Sequence, residues 1–146
     1  MIIIPNFIDE KMRLALLTLP KNNNIKFRAE THFKFLSEML KKLKKINPEI
    51  KLDGKGYCRM EEKKRGHPWH IDTGTKNHML WCKFGSSILL THPDTFTGGE
   101  LTFKIDGKEK IFKEEHYCSL IMYESNMEHK VTGNNGGRKV FLAFFE

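Results

Sequence analysis

Three side chains in the C-terminal half of the chain have the types and spacing of metal ligands. His70 and Asp72 are separated by one residue, and His129 lies on a later segment of strand-like sequence. In an extended strand, residues i and i+2 project from the same face, so His70 and Asp72 can reach one ion. Two imidazoles and one carboxylate can occupy one face of an octahedral iron ion and leave three positions open. The sequence therefore predicts a metal site formed by these three residues.

The same spacing occurs a second time, in His92-Pro93-Asp94. Pro93 removes a backbone donor and marks a strand end or a turn, and Gly98 and Gly99 follow shortly afterwards. We therefore interpret His92 and Asp94 as loop residues rather than as ligands.

An arginine stands at the start of the last apolar segment of the chain. By the period of two, one face of this segment carries Arg138, Val140, Leu142 and Phe144. A guanidinium beside an apolar row is costly to bury unless it meets an anion, and its planar fork fits a carboxylate. From the residues alone, a ligand carboxylate and a surface glutamate such as Glu124 or Glu128 are equally good partners.

Two helices followed by many short strands are predicted around these residues. Residues 7–19 read as a helix capped by Asn6 or Asp9 and ended by Pro20, and residues 31–46 as a second helix. The predicted strands are residues 25–30, 56–62, 68–72, 78–84, 86–92, 100–106, 108–112, 117–123, 127–131 and 138–145, with Asp106-Gly107 as a hairpin turn. This order predicts a closed or double-sheet β structure with the helices packed outside.

Length and composition fit a single domain over residues 1–146, with residues 1–50 as helical support and residues 51–146 as the β core. No apolar run approaches the roughly 20 residues of a membrane span, and the N-terminus has no export signal. The cysteines Cys58, Cys82 and Cys118 have neither disulfide nor metal-knuckle spacing, which favours a reducing compartment. We expect a soluble, cytoplasmic protein without a membrane partner.

The net charge of +7 is concentrated in one region. Residues 41–65 hold ten basic and four acidic side chains, whereas residues 66–146 hold nine and ten. Lysine, which binds phosphate as a mobile point charge, makes up most of the basic residues. A solvated face is the simpler interpretation of the region from Lys41 to Arg65, and a patch for an acidic partner is the alternative.

The segment from residue 55 to residue 146 resembles a known enzyme family. The motif His70-Ile71-Asp72, the run Gly98-Gly99-Glu100-Leu101, His129 and Arg138 occur in the order typical of Fe(II)- and 2-oxoglutarate-dependent dioxygenases. The match is to the prolyl 4-hydroxylase-like branch and, within it, to the PKHD-type hydroxylases. The resemblance implies a mainly β fold, a double-stranded β-helix of the jelly-roll or cupin kind, with the two N-terminal helices outside.

The resemblance also implies roles for the site residues. His70, Asp72 and His129 would ligate Fe(II), and Arg138 would bind the distal carboxylate of 2-oxoglutarate. Further contacts to the co-substrate would come from Tyr57, for which core packing is the alternative, and from the apolar side chains Val131 and Val140. The co-substrates would be 2-oxoglutarate and O2, with ascorbate as a candidate reductant.

The implied reaction is hydroxylation of a peptide or protein side chain, coupled to decarboxylation of 2-oxoglutarate to succinate. The basic loop Lys63-Lys64-Arg65 precedes the metal motif and favours an acidic or extended partner. Two alternatives stay open. One is a 2-oxoglutarate oxygenase that acts on nucleic acid. That group carries a second arginine on its final strand, whereas no arginine follows Arg138 here. The other is a non-catalytic β-helix binding module.

Overall fold

The computed structural model describes residues 1–27, 33–74 and 79–146. Within these ranges the helices are α1 (Glu10–Leu16) and α2 (Lys34–Ile46). The strands are β1 (Ile2–Ile4), β2 (Ile25–Lys26), β3 (Tyr57–Glu62), β4 (His67–His70), β5 (Phe84–Leu89), β6 (Leu101–Ile105), β7 (Lys108–Phe112), β8 (Leu120–Glu124), β9 (His129–Val131) and β10 (Lys139–Phe145). None of the helices described is long and apolar enough to cross a membrane.

The strands form two sheets that face each other. The larger sheet has the order β1-β8-β5-β10-β3-β2, and the smaller has the order β4-β9-β6-β7. Neighbouring strands are antiparallel in both sheets. The sheets touch where Phe103 of β6 packs on Tyr123 of β8, with ring centroids 5.0 Å apart. This arrangement confirms the predicted double-stranded β-helix.

The two helices cover the outer face of the larger sheet. α1 begins after Asp9, one of the two predicted caps, whose carboxylate accepts a hydrogen bond of 2.8 Å from the Met12 N–H. The stripe of α2 that faces the sheet consists of Leu36, Met39, Leu40 and Leu43. These side chains form one core with Phe141 and Phe145 of β10. The helices therefore anchor the sheet from behind and leave its other face for the site.

β10 separates this outer core from the space between the sheets. Because side chains alternate along a strand, Phe141, Ala143 and Phe145 face the helices. The intervening side chains Val140, Leu142 and Phe144 line a pocket between the sheets, as the period of two predicts.

Some predicted elements differ from the structure. The strand predicted over residues 78–84 is absent from residues 79–83, because Met79 has a φ of 51° and its carbonyl accepts a turn bond from Cys82 N–H at 3.0 Å. Parts of three predicted elements lie outside the described residues. They include residues 28–30 of the first predicted strand, Thr31 of the second predicted helix, and His78 of the strand predicted over residues 78–84.

The N-terminal fifty residues also contribute two strands to the larger sheet, β2 within the strand predicted over residues 25–30 and β1, which was not predicted. β1 pairs with β8 from Ile2 opposite Met122 to Ile4 opposite Leu120. The sequence pattern did not predict β1, because a run of three isoleucines before Pro5 is too short to show alternation.

Two glycines with positive φ provide a test of the packing between loops. Gly107 closes the predicted hairpin between β6 and β7, where Asp106 has a φ of 51° and Gly107 one of 76°. Gly98, with a φ of 71°, lies against the connection between β9 and β10. A Cβ at Gly107 would meet nothing within 4 Å, whereas one at Gly98 would lie 2.1 Å from the carbonyl oxygen of Gly133.

We expect Gly98→Ala to lower the free energy of unfolding more than Gly107→Ala does. The left-handed backbone costs both alanines about 1 kcal/mol, but only the substitution at Gly98 forces backbone to move. Urea unfolding of both variants measures the difference, and equal losses would contradict the close contact.

Candidate functional site

His70, Asp72 and His129 converge at one end of the space between the sheets. His70 ends β4 and is opposite His129, which begins β9. One donor atom from each of the three side chains lies within 4.8 Å of the other two. Asp72 lies in a bend beyond β4 rather than on the strand predicted over residues 68–72. The structure therefore brings the three predicted ligands together, but alternation along a strand is not what places Asp72.

The bend at Asp72 is attached to the end of β8. The N–H groups of Asp72 and Thr73 both donate to the carbonyl oxygen of Ser125, at 2.9 and 3.2 Å. The Ser125 hydroxyl donates in turn to the carbonyl oxygen of Cys82 at 2.6 Å. Asp72 is thus fixed by the larger sheet, whereas both histidines belong to the smaller one.

Both imidazoles present Nε2 to the cluster. Nδ1 of His70 is 2.6 Å from the carbonyl oxygen of Pro68, and Nδ1 of His129 is 2.9 Å from that of Met127. A carbonyl oxygen only accepts hydrogen bonds, so each Nδ1 carries the proton and donates. Each Nε2 then faces the Asp72 carboxylate, to which it donates when the ring is protonated and beside which it offers a lone pair when the ring is neutral, as metal-binding histidines do.

The Asp72 carboxylate completes the cluster. Its Oδ1 is 3.5 Å from Nε2 of His70 and 3.3 Å from Nε2 of His129. Burial raises the pKa of Asp72, but hydrogen bonds with His129 and His70 outweigh it and hold the pKa well below its usual value. The hydrogen bond with Asp72 raises the pKa of His70.

The cluster fits a divalent metal ion. Two nitrogen lone pairs face one buried carboxylate oxygen, so a cation, either protons or a metal, must lie between them. Oδ2 of Asp72 is also buried and accepts no hydrogen bond of ordinary geometry in the described ranges, although the Tyr123 hydroxyl is near enough to help lower the pKa of the carboxyl. A metal ion held by His70, Asp72 and His129 satisfies both conditions with the donor set expected for iron.

The second His-x-Asp motif does not join the cluster. His92 and Asp94 flank Pro93 at the start of a short 3₁₀ turn, and the Asp94 N–H donates to Nδ1 of His92 at 3.2 Å. Their side chains are 53% and 85% exposed. The motif is part of a surface turn, so it offers a natural control for the first one.

A pocket of about 690 Å³ lies between the two sheets and has the His-Asp-His cluster and Arg138 on its wall. This volume is in the range of about 300–1,000 Å³ that small-molecule sites occupy. Val140 is buried in this wall and Val131 is partly buried, as expected for apolar sides of a ligand site.

Arg138 is a buried cation without a carboxylate partner. It lies one residue before β10, is 6% exposed, and donates from Nε to the carbonyl oxygen of Gly99 at 2.9 Å. No carboxylate of the described residues is within 4 Å of its guanidinium, and Glu128 pairs with Lys104 instead. Burial lowers the pKa of Arg138 to about 10. An anionic ligand in the pocket would supply the missing counter-ion.

Gly99 positions Arg138, a role that the sequence analysis did not assign. Besides accepting the hydrogen bond, Gly99 has a φ of 68°, and a Cβ there would lie 2.5 Å from Cδ of Arg138. The glycine is therefore needed for the backbone turn and for the path of the arginine side chain.

Tyr57 lies on the pocket wall but far from Arg138. It is opposite Phe144 at one end of the β3 and β10 pair, whereas Arg138 lies at the other end. Its ring packs on Phe144 and Trp81, and its hydroxyl lies 3.4 Å from Sδ of Met79. A contact with a co-substrate stays a prediction for Tyr57.

The polar side chains of the pocket that were not predicted include a group of three that contact one another. Arg59 and Glu61 share the pocket face of β3 with Tyr57, and His67 lies on β4. Glu61 forms an ion pair with Arg59, and its Oε1 is 3.3 Å from Nε2 of His67. Alternation along β3 was the available signal, since Tyr57, Arg59 and Glu61 are each two residues apart.

The basic region from Lys41 to Arg65 does not form one patch. Its helical lysines lie on α2, outside the larger sheet, where Lys42 contacts the carbonyl oxygen of Phe7 and Lys44 that of Pro48. The exposed loop of Lys63, Lys64 and Arg65 instead joins the pocket strands β3 and β4. Within this region, Arg59 lines the pocket and the loop lies beside it, so these residues rather than the helical lysines can bring charge to a ligand of the pocket.

Comparison of the sequence with known proteins gives a partial match. No model of a protein family matches the chain. A PKHD-type hydroxylase of Rippkaea orientalis is 34% identical over 80 residues, which are 53% of this chain and 36% of that hydroxylase. The chain thus spans little more than a third of the length of this relative.

Solved structures match almost the whole length of this chain. A prolyl-4-hydroxylase of Pseudomonas putida matches 99% of this chain and 91% of its own, with a TM-score of 0.73 and 16% identity. This chain has the prolyl 4-hydroxylase fold. A prolyl hydroxylase of Trichoplax adhaerens, in complex with a peptide fragment of hypoxia inducible factor, matches 99% of this chain and 82% of its own, with a TM-score of 0.69 and 15% identity. These two structures confirm the fold that the sequence resemblance implied.

Behind Arg138, the prolyl 4-hydroxylase fold of this chain buries one histidine completely. His116 is 1% exposed, and its Nε2 has no hydrogen-bond partner among the residues described. Burial, together with the charge of Arg138, lowers the pKa of His116 to about 3. The imidazole is therefore neutral in the folded protein.

We expect His116 to make the protein less stable in acid. In the unfolded chain its pKa is about 6.5, so between pH 6.5 and 3 the unfolded state binds more protons and stability falls as the pH falls. His116→Gln should flatten this dependence by up to about 1.4 kcal/mol per pH unit, as measured by urea unfolding at pH 7, 6 and 5. His92→Gln, at an exposed site, is the control, and parallel slopes for wild type and His116→Gln would contradict the assignment.

We expect the first His-x-Asp motif, and not the second, to bind a divalent metal. Asp72→Asn removes the negative charge beside Nε2 of His70 and His129. The affinity for Co(II) should therefore fall at least about 100-fold, which is more than the loss of a residue that only orients a metal ligand usually costs. Asp94→Asn makes the same change in the surface turn and should leave the affinity unchanged. Visible absorption of bound Co(II) measures both, and equal effects would disprove the site.

Proposed function

We propose that this chain is an Fe(II)- and 2-oxoglutarate-dependent dioxygenase that hydroxylates a side chain of a peptide or protein. The observation that carries the proposal is that the His-Asp-His cluster and the uncompensated Arg138 line one pocket. The cluster offers three ligands to a metal ion and leaves coordination positions for other molecules. Arg138 offers a fork to the far carboxylate of a dianion. In this proposal residues 1–146 act as one dioxygenase domain.

Fe(II), 2-oxoglutarate and O2 supply the oxidising chemistry when bound, with succinate as the co-product and ascorbate as a candidate reductant. The residues of the chain position these groups. The carbonyl oxygens of Pro68 and Met127 hold the two imidazoles with Nε2 inward, and Phe103 and Tyr123 pack on the ring of His129 at 5.2 and 4.9 Å. Such packing keeps the ligand set rigid and limits water around it.

Arg138 orients the co-substrate in this proposal. Its Nε is already bound to the carbonyl oxygen of Gly99, which leaves the outer nitrogens of the fork for the ligand. Val131, on β9 of the smaller sheet, and Val140, on β10 of the larger sheet, both line this pocket and exclude water from the chain of the co-substrate. A buried cation with apolar neighbours binds a carboxylate more strongly than a solvated one does.

Two observations support a peptide or protein substrate. The pocket also extends along Tyr57, Arg59 and His67, beyond the space that a five-carbon acid needs. The Trichoplax adhaerens prolyl hydroxylase, which shares the fold, is in complex with a peptide. The exposed loop of Lys63, Lys64 and Arg65 between the two pocket strands supports an acidic or extended segment as the substrate.

Anaerobic titration of the protein with Fe(II) and 2-oxoglutarate tests the co-substrate site. We expect the wild type to show a weak visible metal-to-ligand charge-transfer band. In Arg138→Met, the band should appear only at 2-oxoglutarate concentrations at least about 100-fold higher, because a buried charged partner of the ligand is lost. Lys139→Met is the matched control, because this neighbouring cation points to Glu62 rather than into the pocket. A wild type that binds metal but shows no band would disprove the dioxygenase and favour the binding module.

The substrate class is tested by succinate formation in the presence of candidate substrates. We expect acidic proline-containing peptides to increase the rate above the uncoupled rate, with a neutral peptide of the same length as the control. An increase with single-stranded oligonucleotides alone, reduced by salt, would identify the nucleic-acid oxygenase instead.

A further inference from the structure

A buried ion pair shares the pocket with Arg138. Arg59 and Glu61 project from the pocket face of β3, and Glu61 is opposite Val140, two residues along β10 from Arg138. Glu61 is 4% exposed and Arg138 is 6% exposed. A carboxylate and a guanidinium therefore lie close to each other in the same poorly solvated space.

The Glu61 carboxylate is nevertheless turned to other side chains. Its Oε2 contacts Nη2 of Arg59 and lies 3.8 Å from Nζ of Lys63, and its Oε1 is 3.3 Å from Nε2 of His67. No ion pair within 4 Å joins Glu61 to Arg138 in the part of the chain that the structure describes. Arg59 is itself held in place, because its Nη1 donates to Oδ1 of Asn24 at 3.3 Å.

This arrangement matters for an anionic ligand. Charges interact strongly in a poorly solvated pocket, so a carboxylate released from Arg59 would be the natural counter-ion of Arg138. It would then compete with any ligand carboxylate for the same guanidinium. Paired with Arg59, the same carboxylate is largely neutralised, and the fork of Arg138 stays free.

We infer that Arg59 is a positioning residue that holds the Glu61 carboxylate away from Arg138 and thereby keeps Arg138 free for the distal carboxylate of 2-oxoglutarate. The inference rests on the proposed function and adds an internal competitor to it. Glu61 reduces co-substrate affinity when it is unpaired, and Arg59 suppresses that competition.

Co-substrate affinity in a double-mutant cycle tests the inference. The dissociation constant of 2-oxoglutarate is measured anaerobically, with Fe(II) bound, from the charge-transfer band. Arg59→Met should weaken binding by about tenfold, a usual coupling within a charge network. Glu61→Gln should bind 2-oxoglutarate at least as tightly as wild type, because it removes the competitor. The double variant should bind like Glu61→Gln, so the second substitution rescues the first.

The rescue distinguishes positioning from direct contact. If Arg59 bound the ligand itself, Glu61→Gln would not restore affinity to Arg59→Met, and that result would overturn the inference. An Arg59→Met variant with unchanged affinity would also overturn it. Metal affinity without 2-oxoglutarate should stay the same in all four proteins, which separates the effect from loss of the fold.

The matched control is an ion pair at the same strand but outside the pocket. Nζ of Lys21 is 3.2 Å from Oε1 of Glu62, the residue after Glu61, and neither side chain lines the pocket. Lys21→Met and Glu62→Gln should leave 2-oxoglutarate affinity unchanged. If Lys21→Met weakened 2-oxoglutarate binding as much as Arg59→Met does, the cause would be a long-range effect of net charge, and the inference would be overturned. Should Arg59→Met fail to fold, Arg59→Lys replaces it, with a smaller loss that Glu61→Gln again removes.

The outcomes separate the two proposals. If the wild-type protein binds Fe(II) but shows no band with 2-oxoglutarate, the proposed function fails. If it shows the band and Arg59→Met binds 2-oxoglutarate as wild type does, only the role of Arg59 fails.

Discussion

The Asp72 carboxylate is buried and lies between two imidazole nitrogens. So many electron-pair donor atoms in one buried place require a cation between them. The rest of the site follows from how that carboxylate is held. Ser125, at the end of β8, fixes the backbone of Asp72 from the larger sheet, while β4 and β9 of the smaller sheet carry the histidines. The cluster therefore exists only when both sheets are packed together.

The same two-sheet architecture explains the second charged centre. Helices cover one face of the larger sheet, so the other face of β10 and β3 is free to border a pocket. Within it, Arg138 has no carboxylate partner in the described part of the chain, although Glu61 is on the neighbouring strand. Burying unpaired charge costs stability, and a fold retains such a group where a ligand completes it.

The sequence allowed the fold class to be predicted, and the three metal-site candidates, Arg138 and the two valines that it indicated lie around one pocket. Each of these depends on local pattern: the His-x-Asp spacing, the period of two along β10, and the order of motifs that resembles prolyl 4-hydroxylases. Short or irregular segments were predicted less well. β1 is three residues long, the segment before β5 is a turn, and Asp72 lies in a bend.

By itself, the sequence determined which side chains could hold a metal and an anion, because those chemistries depend on residue type and on spacing within one strand. Pro93 and the glycines after it favoured the first His-x-Asp motif, but only the tertiary structure brought that motif to His129, since this depends on pairing between β4 and β9. It also decided that Arg138 has no glutamate partner among the residues that the structure describes and that Arg59 and Glu61 share its pocket. These contacts join residues far apart in the chain, and no local pattern records the register that brings them together.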